Sequence, residues 1–344
     1  MPYINNFLFT DGVIFPGFLK VFRKSKILFK KVIYLATVLN NKVNVRIMKR
    51  TILLIGFLFV TVLLFGKVKG VKHVVLIGLD GWGAYSVPQA DMPTVRIMMK
   101  GGAYTLESRS VLPSSSACNW ASMIMGASPE IHGFTTWGSK KPEIPSRELS
   151  PYGLFPTVIG LLRDQRPDAE IGYVFEWDGM QYLCEREAVN HFAHVPPVEE
   201  QSDPIVQDAV QYIREKKPTF MMIAFNNPDE VGHKYGHDTP EYYAKLKELD
   251  GKIAQIVQAV QDAGIYEETV FILTADHGGK EKGHGGKTLQ EMQIPFVVFG
   301  KGVRAGSVIN NSTMIYDTAA TIAWIFGLKQ PQVWIGRPIT EAFK

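Results

Sequence analysis

Acidic residues and histidines of this 344-residue chain stand at the ends of apolar runs, where they could bind metal ions. The clearest case follows the run 269–273. Asp276 and His277 are succeeded there by two glycines and then by His284, which also lies between glycines. Carboxylates and imidazoles are good ligands for divalent metals, and glycine lets the backbone turn closely around a ligand. The alternative is a polar loop that merely leaves a strand.

Two further apolar runs end in a similar way. Asp80 follows the run 73–79, although an acid in that position is also typical of a helix N-cap. The run 219–225 is followed by Asp229 and His233, and their four-residue spacing places both on one face of a helical turn. A capping Asp and a surface His would give the same pattern.

A run of serines at 114–116 adds a possible nucleophile. It separates a predicted strand from a predicted apolar helix over 118–125. Serines in this position usually cap the helix. A helix N-terminus also binds phosphate, and a metal beside a hydroxyl lowers its pKa and makes it a nucleophile. One of these serines could therefore attack an anionic ester.

The elements that must position these residues are strands and helices in alternation. This order predicts an α/β fold with a mostly parallel central sheet and helices on both faces. Strands are predicted at 73–79, 105–112, 170–175, 219–225, 269–273 and 294–299. Ligands of such sheets bind at the carboxyl ends of strands, so the three acids and three histidines should meet there. Carboxylates buried together repel one another, and two divalent metal ions would relieve this repulsion; mixed nitrogen and oxygen ligands favour zinc.

The basic character of the chain is confined to its N-terminal segment. Of the 37 Lys and Arg residues, 12 lie within 1–70 together with one acid, Asp11. The rest of the chain therefore holds 25 basic and 32 acidic residues. This balance gives no indication that the folded part binds nucleic acid specifically.

The N-terminal segment itself resembles a targeting sequence. Met48-Lys49-Arg50 precedes an apolar run over 51–66, which predicts a signal peptide or an uncleaved membrane anchor at about 48–70. The catalytic part should then be secreted, periplasmic or membrane-anchored outside the cytoplasm, and contact a membrane only through this segment. We expect Met48 to be the start; a genuine basic membrane-associated region at 1–47 is the alternative.

Residues 71–344 are expected to form a single catalytic domain, with a small cap insertion at most, within 134–200. Cys118 and Cys184 are too few for a disulfide framework, and both are expected to be free.

The spaced motifs resemble the type I phosphodiesterase/nucleotide pyrophosphatase branch of the alkaline phosphatase superfamily. In that family the nucleophile is followed after two residues by Asn, and then by an apolar helix and Pro-Glu-x-His-Gly. Here these positions are Ser116, Asn119 and Pro129-Glu-Ile-His-Gly133. The family's Pro-Asp-x-x-Gly-His and Ala-Asp-His-Gly segments correspond to 228–233 and 275–278.

The resemblance covers about residues 73–340 and implies roles for individual residues. One zinc would be bound by Asp229, His233 and His284, and the other by Asp80, Ser116, Asp276 and His277. Ser116 would be the nucleophile, Asn119 would hold a phosphoryl oxygen, and His132 would be structural. The remaining histidines match no catalytic position and are expected to be ordinary polar residues: His73, His191, His194 and His237.

The implied activity is metal-dependent hydrolysis of a small-molecule phosphate ester, a phosphodiester or nucleotide pyrophosphate, through a phosphoseryl intermediate. The chain departs from the family in having Ser where the nucleophile is usually Thr. It also departs from alkaline phosphatase in lacking an Arg soon after the nucleophile. A phosphomonoesterase or phosphotransferase with the same residues is the first alternative, and a non-catalytic metal-containing binding protein is the second.

Overall fold

The computed structural model describes residues 68–344, all of which lie within one compact unit. The signal peptide or anchor predicted at about 48–70 lies almost entirely outside these residues. Within 68–344, no helix combines the length and the apolar character needed to cross a bilayer.

An eight-stranded sheet forms the centre of the unit. Its order is β4-β3-β5-β1-β6-β7-β2-β8. The strands are β1 (His73–Leu79), β2 (Ala103–Arg109), β3 (Ile171–Phe175), β4 (His191–His194), β5 (Phe220–Phe225), β6 (Thr269–Thr274), β7 (Gln293–Gly300) and β8 (Ser307–Val308). Among these strands only β7 runs antiparallel to its neighbours.

The three central strands are buried along their lengths. β1 pairs in parallel with β5 on one side and with β6 on the other. Nearly every residue of the three is apolar and covered on both faces, as expected for parallel strands between two helix layers. Their carboxyl ends therefore lie side by side at one edge of the sheet.

The helices form two groups, one on each face. They are α1 (Pro93–Gly101), α2 (Ser116–Met125), α3 (Pro129–His132), α4 (Val158–Gln165), α5 (Asp203–Lys216), α6 (Asp229–Tyr235), α7 (Pro240–Asp262), α8 (Leu289–Met292) and α9 (Asp317–Ile325). α1, α5 and α6 pack against the long helix α7, whereas α2 and α4 pack against α9.

The predicted α/β fold with a mostly parallel sheet is confirmed, and the differences lie at its margins. Strands β4 and β8 were not predicted, because both are short, lie at the edges of the sheet and contain no buried apolar run. β2 ends at Arg109 rather than at 112, because the next residues leave the sheet towards the serine run. Cys118 and Cys184 are free, as predicted.

The structure limits which residues within 134–200 could form the expected cap. Residues 158–165, 171–175 and 191–194 of that stretch are a helix and two strands of the central layers. A cap therefore stays a prediction for the intervening loops alone.

His132, expected to be structural, is buried at the end of α3. Its Nδ1 accepts a hydrogen bond of 3.1 Å from the Phe134 amide, so Nε2 carries the hydrogen and donates to Ser122 Oγ at 3.0 Å. Burial lowers the pKa of the imidazole to about 3. The folded protein therefore holds His132 neutral at pH values where the unfolded chain binds a proton.

Stability should consequently fall as the pH drops from about 6.5 towards 3, by about 1.4 kcal/mol per pH unit for this one group. His132→Gln removes the titration, so its free energy of unfolding should fall less steeply with acidification than that of the parent. Urea unfolding at pH 6.5, 5.5 and 4.5 measures the two slopes. Parallel slopes would contradict a neutral His132 in the folded state.

Candidate active site

The carboxyl ends of β5, β1 and β6 bring the predicted acids together. Asp80 follows β1 directly, Asp229 is the first residue of α6 after β5, and Asp276 lies two residues beyond β6. Gly81 allows their close approach, since a Cβ atom there would lie 2.6 Å from the Asp229 Cβ. The register of three adjacent parallel strands thus sets the spacing of three buried carboxyl groups.

One group of possible metal ligands consists of Asp229, His233 and His284. His233 Nε2 lies 3.0 Å from Asp229 Oδ2 and 3.2 Å from His284 Nε2. His284 Nε2 is 3.6 Å from the same carboxylate oxygen. Their ligand atoms all lie within 4.8 Å of one another, close enough to bind a single ion. The His233 side chain is 47% exposed, so this group opens to solvent.

The second group consists of Asp80, Asp276 and His277, and it is fully buried. His277 Nε2 lies 3.2 Å from Asp276 Oδ2 and 3.4 Å from Asp80 Oδ1. Ser116 Oγ lies 3.3 Å from the same imidazole nitrogen. The residues fall into the two sets that the sequence resemblance implies.

The two groups are in direct contact. The rings of His277 and His284 stack with centroids 3.8 Å apart and planes inclined by 18°. Ions bound in the two groups would therefore be neighbours, as in enzymes that use paired metals.

Each of these three imidazoles is oriented by a backbone carbonyl. Nδ1 of His233 donates to Lys282 O at 2.9 Å, that of His277 to Gly278 O at 2.7 Å, and that of His284 to Ser114 O at 3.0 Å. A carbonyl oxygen can only accept, so the hydrogen of a neutral ring lies on Nδ1. Nε2 is then left as an unprotonated lone pair directed into the cluster, which is the form that binds metal.

The carboxylates show the matching arrangement, with one oxygen held and the other directed inward. Asp80 Oδ2 accepts from the Trp120 indole at 3.2 Å, and Asp276 Oδ1 accepts from the amides of Gly81 and His277 at 3.1 and 2.9 Å. Asp80 Oδ1 and Asp276 Oδ2 are buried without a hydrogen-bond partner. Buried oxygens of this kind are costly unless an ion or water satisfies them.

The pKa values reflect the same crowding of charge. Burial and then the neighbouring carboxylates hold the pKa values of Asp80 and Asp276 well above their ordinary range. Burial lowers the pKa of His277 to about 3 and also lowers that of His284. A hydrogen bond to Asp229 raises the pKa of His233 to about 9. A bound cation would lower the pKa values of these carboxyl groups and so favour their charged form. It would also accept the lone pairs of the imidazoles that face one another.

The donor set therefore fits divalent metal ions. Three inward imidazole nitrogens and three inward carboxylate oxygens are available, which exceeds the four ligands of one tetrahedral zinc. Division into two adjacent sets of three leaves each ion an open position for a further oxygen ligand.

Ser116 is placed beside the second group as the first residue of α2. The ten-residue helix directs its N-terminal dipole towards this position, which favours negative charge there. Ser115 is the N-cap residue but makes no capping hydrogen bond through its side chain. Ser114 Oγ donates to Gly286 O at 2.6 Å and so holds the loop that carries His284.

Asn119 has a different role from the one predicted. Its side-chain amide donates to the carbonyls of Pro113 and Ser115 at 3.0 Å each, and its Oδ1 accepts from the Val111 amide at 2.7 Å. The prediction that Asn119 holds a phosphoryl oxygen disagrees with this geometry, because both ends of the amide are engaged by the backbone. Asn119 instead fixes the loop 111–115 that presents Ser116.

Two residues of the site were missed from the sequence. Trp120 holds Asp80, and His237, expected to be an ordinary polar residue, lies against Asp229 with Nε2 3.1 Å from Oδ1. Neither contact has a sequence signal, because each joins different elements of the fold. Gly232 and Gly279 lie next to the His237 ring. In the sequence they stand beside the other candidate ligands and do not indicate a contact with His237.

The fold is that of the alkaline phosphatase superfamily. The sequence model of the family described as "Type I phosphodiesterase / nucleotide pyrophosphatase" matches residues 74–284, more than half of the chain. The chain belongs to this family, as its motifs predicted.

Solved structures agree on the fold. An inactive form of murine ectonucleotide pyrophosphatase/phosphodiesterase 5, in complex with AMP, superimposes with a TM-score of 0.64 at 13% identity, covering 79% of this chain and all of that one. BT1596, a 2-O GAG sulfatase, superimposes with the same TM-score of 0.64 at 16% identity, covering 79% of this chain and 74% of that one. At these identities the likeness concerns the fold alone.

Sequence relatives cover smaller portions. A phosphopentomutase of Alkaliphilus metalliredigens is 36% identical over 108 residues, 31% of this chain and 26% of the relative. The bis(5'-adenosyl)-triphosphatase ENPP4 of Bos taurus is 22% identical over 213 residues, 60% of this chain and 47% of the relative. The chain thus spans between about a quarter and a half of the length of the curated relatives it matches.

The role of Asn119 as a loop clamp can be tested with Asn119→Ala. Loss of several buried hydrogen bonds should lower the free energy of unfolding by about 2 kcal/mol or more. KM for a phosphate ester should change little, because both ends of the Asn119 amide are engaged by the backbone of its own loop. Urea unfolding and steady-state kinetics measure the two quantities. A stable variant with a strongly raised KM would instead support the phosphoryl contact.

Proposed function

We propose that the chain is a metal-dependent hydrolase of small-molecule phosphate esters, with phosphodiesters or nucleotide pyrophosphates as substrates. The observation that carries the proposal is the contact of 3.3 Å between Ser116 Oγ and His277 Nε2, within a group of buried, partly unsatisfied carboxylates. Membership in the type I phosphodiesterase / nucleotide pyrophosphatase family supports the reaction class.

Two divalent ions, for which we favour zinc, would neutralise the carboxylates, lower the pKa of the Ser116 hydroxyl and offset charge on the phosphoryl oxygens. Asp229, His233 and His284 would hold one ion. The other would be held by Asp80, Asp276 and His277, with Ser116 Oγ as a further ligand.

The chemical step is a displacement at phosphorus. Ser116 gives up its hydroxyl proton to water and Oγ attacks phosphorus. The bond from phosphorus to the leaving oxygen breaks, and the leaving alkoxide takes a proton from water to become the alcohol. Water then cleaves the phosphoseryl bond, which restores the serine hydroxyl and releases a monoester when the substrate is a diester. Ser116 begins α2, and the N-terminus of this helix favours the negative charge that collects there.

A preference for diesters follows from the charges around the site. Within 68–344, the ion pairs of the three carboxylates involve only histidines. A monoester dianion requires more fixed positive charge than a diester monoanion. Among residues 68–344, no Lys or Arg forms an ion pair with these carboxylates. The singly charged diester is therefore the better match to the site.

The principal alternative is a phosphomonoesterase or phosphotransferase with the same residues. The identity of 36% to a phosphopentomutase over 108 residues favours it, since a mutase transfers rather than releases a phosphoryl group. A phosphoseryl intermediate would serve both reactions, and only the acceptor would differ.

We further propose that the catalytic domain lies outside the cytoplasm. The apolar run after Met48-Lys49-Arg50 supports this placement. Fractionation of cells that express the full chain, followed by N-terminal sequencing, tests both the location and the cleavage.

The substrate proposal predicts that bis-p-nitrophenyl phosphate is hydrolysed with a higher kcat/KM than p-nitrophenyl phosphate. Both substrates release the same chromophore, so the ratio reports the charge and substitution of the phosphoryl group. Release of nitrophenol from the monoester at a rate well above that from the diester would favour the alternative. Adding an alcohol acceptor separates transfer from hydrolysis in the same assay.

The mechanism predicts that Ser116→Ala lowers kcat by on the order of 10³-fold or more, with the residual rate due to electrostatic stabilisation. Ser115→Ala is the matched control, because Ser115 Oγ makes only a weak contact of 3.9 Å with Cys118 Sγ. Ser114→Ala should have an intermediate effect through the loop of His284. Mass spectrometry of rapidly quenched enzyme should locate phosphate on Ser116. Phosphate on Ser114 or Ser115 would refute the assignment.

A further inference from the structure

His237 occupies a position in the site that its sequence context does not indicate. Its side chain is completely buried, although it lies beyond the last residue of α6. The ring fits between two glycines, since a Cβ atom at Gly232 or Gly279 would lie 2.4 or 2.2 Å from its nearest ring atoms. The backbone around it is therefore shaped to admit an imidazole.

Both nitrogens of the ring face oxygen atoms. Nδ1 lies 3.1 Å from Glu281 O, and Nε2 lies 3.1 Å from Asp229 Oδ1. The backbone amide of His237 also donates to Glu281 O at 2.6 Å, so the segment is anchored independently of the ring. The contact of Nε2 is therefore not needed to anchor the segment, and its one partner among these atoms is Asp229.

The three carboxylates of the site share one pattern, and His237 completes it. Asp80 is held at Oδ2 by Trp120, and Asp276 is held at Oδ1 by backbone amides. At Oδ1 of Asp229 the corresponding place is taken by His237 Nε2. The carboxylate oxygen can only accept, so this contact places the hydrogen of a neutral ring on Nε2, and Glu281 O then accepts from the His237 backbone amide. Its Oδ2 is left facing His233 and His284.

We propose that His237 is a positioning residue that holds Asp229 in the orientation required to bind a metal ion with His233 and His284. The inference rests on the proposed two-metal function. It adds to that function a fourth histidine that does not bind the ion but fixes a residue that does. Partners of this kind typically change metal affinity by about 10- to 100-fold.

Two substitutions separate the contact with Asp229 from the rest of the ring. His237→Gln places an amide N–H near the position of Nε2 and retains a donor to Asp229. His237→Asn places its amide near Nδ1, so it keeps the contact with Glu281 and loses the contact with Asp229. His191→Asn is the matched control, because His191 makes a similar pair with Asp208 at 2.6 Å on the edge strand β4.

The experiment measures zinc by elemental analysis after dialysis of each full-length protein against a series of chelator concentrations. The parent and His191→Asn should hold about two ions per chain. His237→Asn should lose one of them at a chelator concentration about 10- to 100-fold lower, and His237→Gln should stay within about threefold of the parent. Excess zinc should restore most of kcat to His237→Asn, because the ligands themselves remain.

Thermal unfolding of the metal-free proteins distinguishes positioning from packing. Similar midpoints for His237→Asn and His237→Gln, with different zinc retention, support the proposal. Equal loss of zinc by both variants, or retention equal to the parent by both, overturns it. A parent that binds fewer than two ions would instead refute the two-metal function, so the two failures can be told apart.

Discussion

Mutual repulsion among three buried carboxyl groups is the constraint on which this structure depends. Asp80, Asp229 and Asp276 are brought together because β1, β5 and β6 are adjacent parallel strands that end at the same edge. The hydrophobic core fixes those strands, so the carboxyl groups cannot relax apart without breaking the sheet. Burial of like charges without a counter-ion is unfavourable, and the fold is accordingly suited to a state in which cations occupy this edge.

The surroundings of the cluster satisfy its outer atoms and leave its inner ones free. Backbone carbonyls take the Nδ1 hydrogens of the three imidazoles, and amides or an indole take the outer oxygens of Asp80 and Asp276. The oxygens left without a hydrogen-bond partner, Asp80 Oδ1 and Asp276 Oδ2, belong to one of the two groups of possible metal ligands. These hydrogen bonds orient the ligands without an ion, which reduces the reorganisation required on binding.

Much of the fold and the grouping of the site could be predicted from the sequence, because both follow local rules. Buried strands appear as apolar runs, and the residue after each run is fixed at the edge of the sheet. The resemblance to a known family then divided the acids and histidines into the two sets that the structure also brings together.

The parts that could not be predicted depend on side-chain contacts between distant segments. Asn119 was assigned to the substrate from its motif position, but its partners are the carbonyls of its own loop. Trp120 and His237 reach carboxylates across element boundaries, and no spacing rule predicts such contacts. The short edge strands β4 and β8 were missed because their pairing, not their composition, defines them.

The reversed direction of β7 has a consequence for how the site can vary. Since β7 returns antiparallel beside β6, the chain crosses the catalytic edge once, in the connection 275–292, before it re-enters the sheet. That one connection supplies His277 to one group and His284 to the other, and the two rings stack. The length of this connection therefore sets the distance between the two groups. An insertion between these histidines would alter that distance although the sequence would keep every ligand residue.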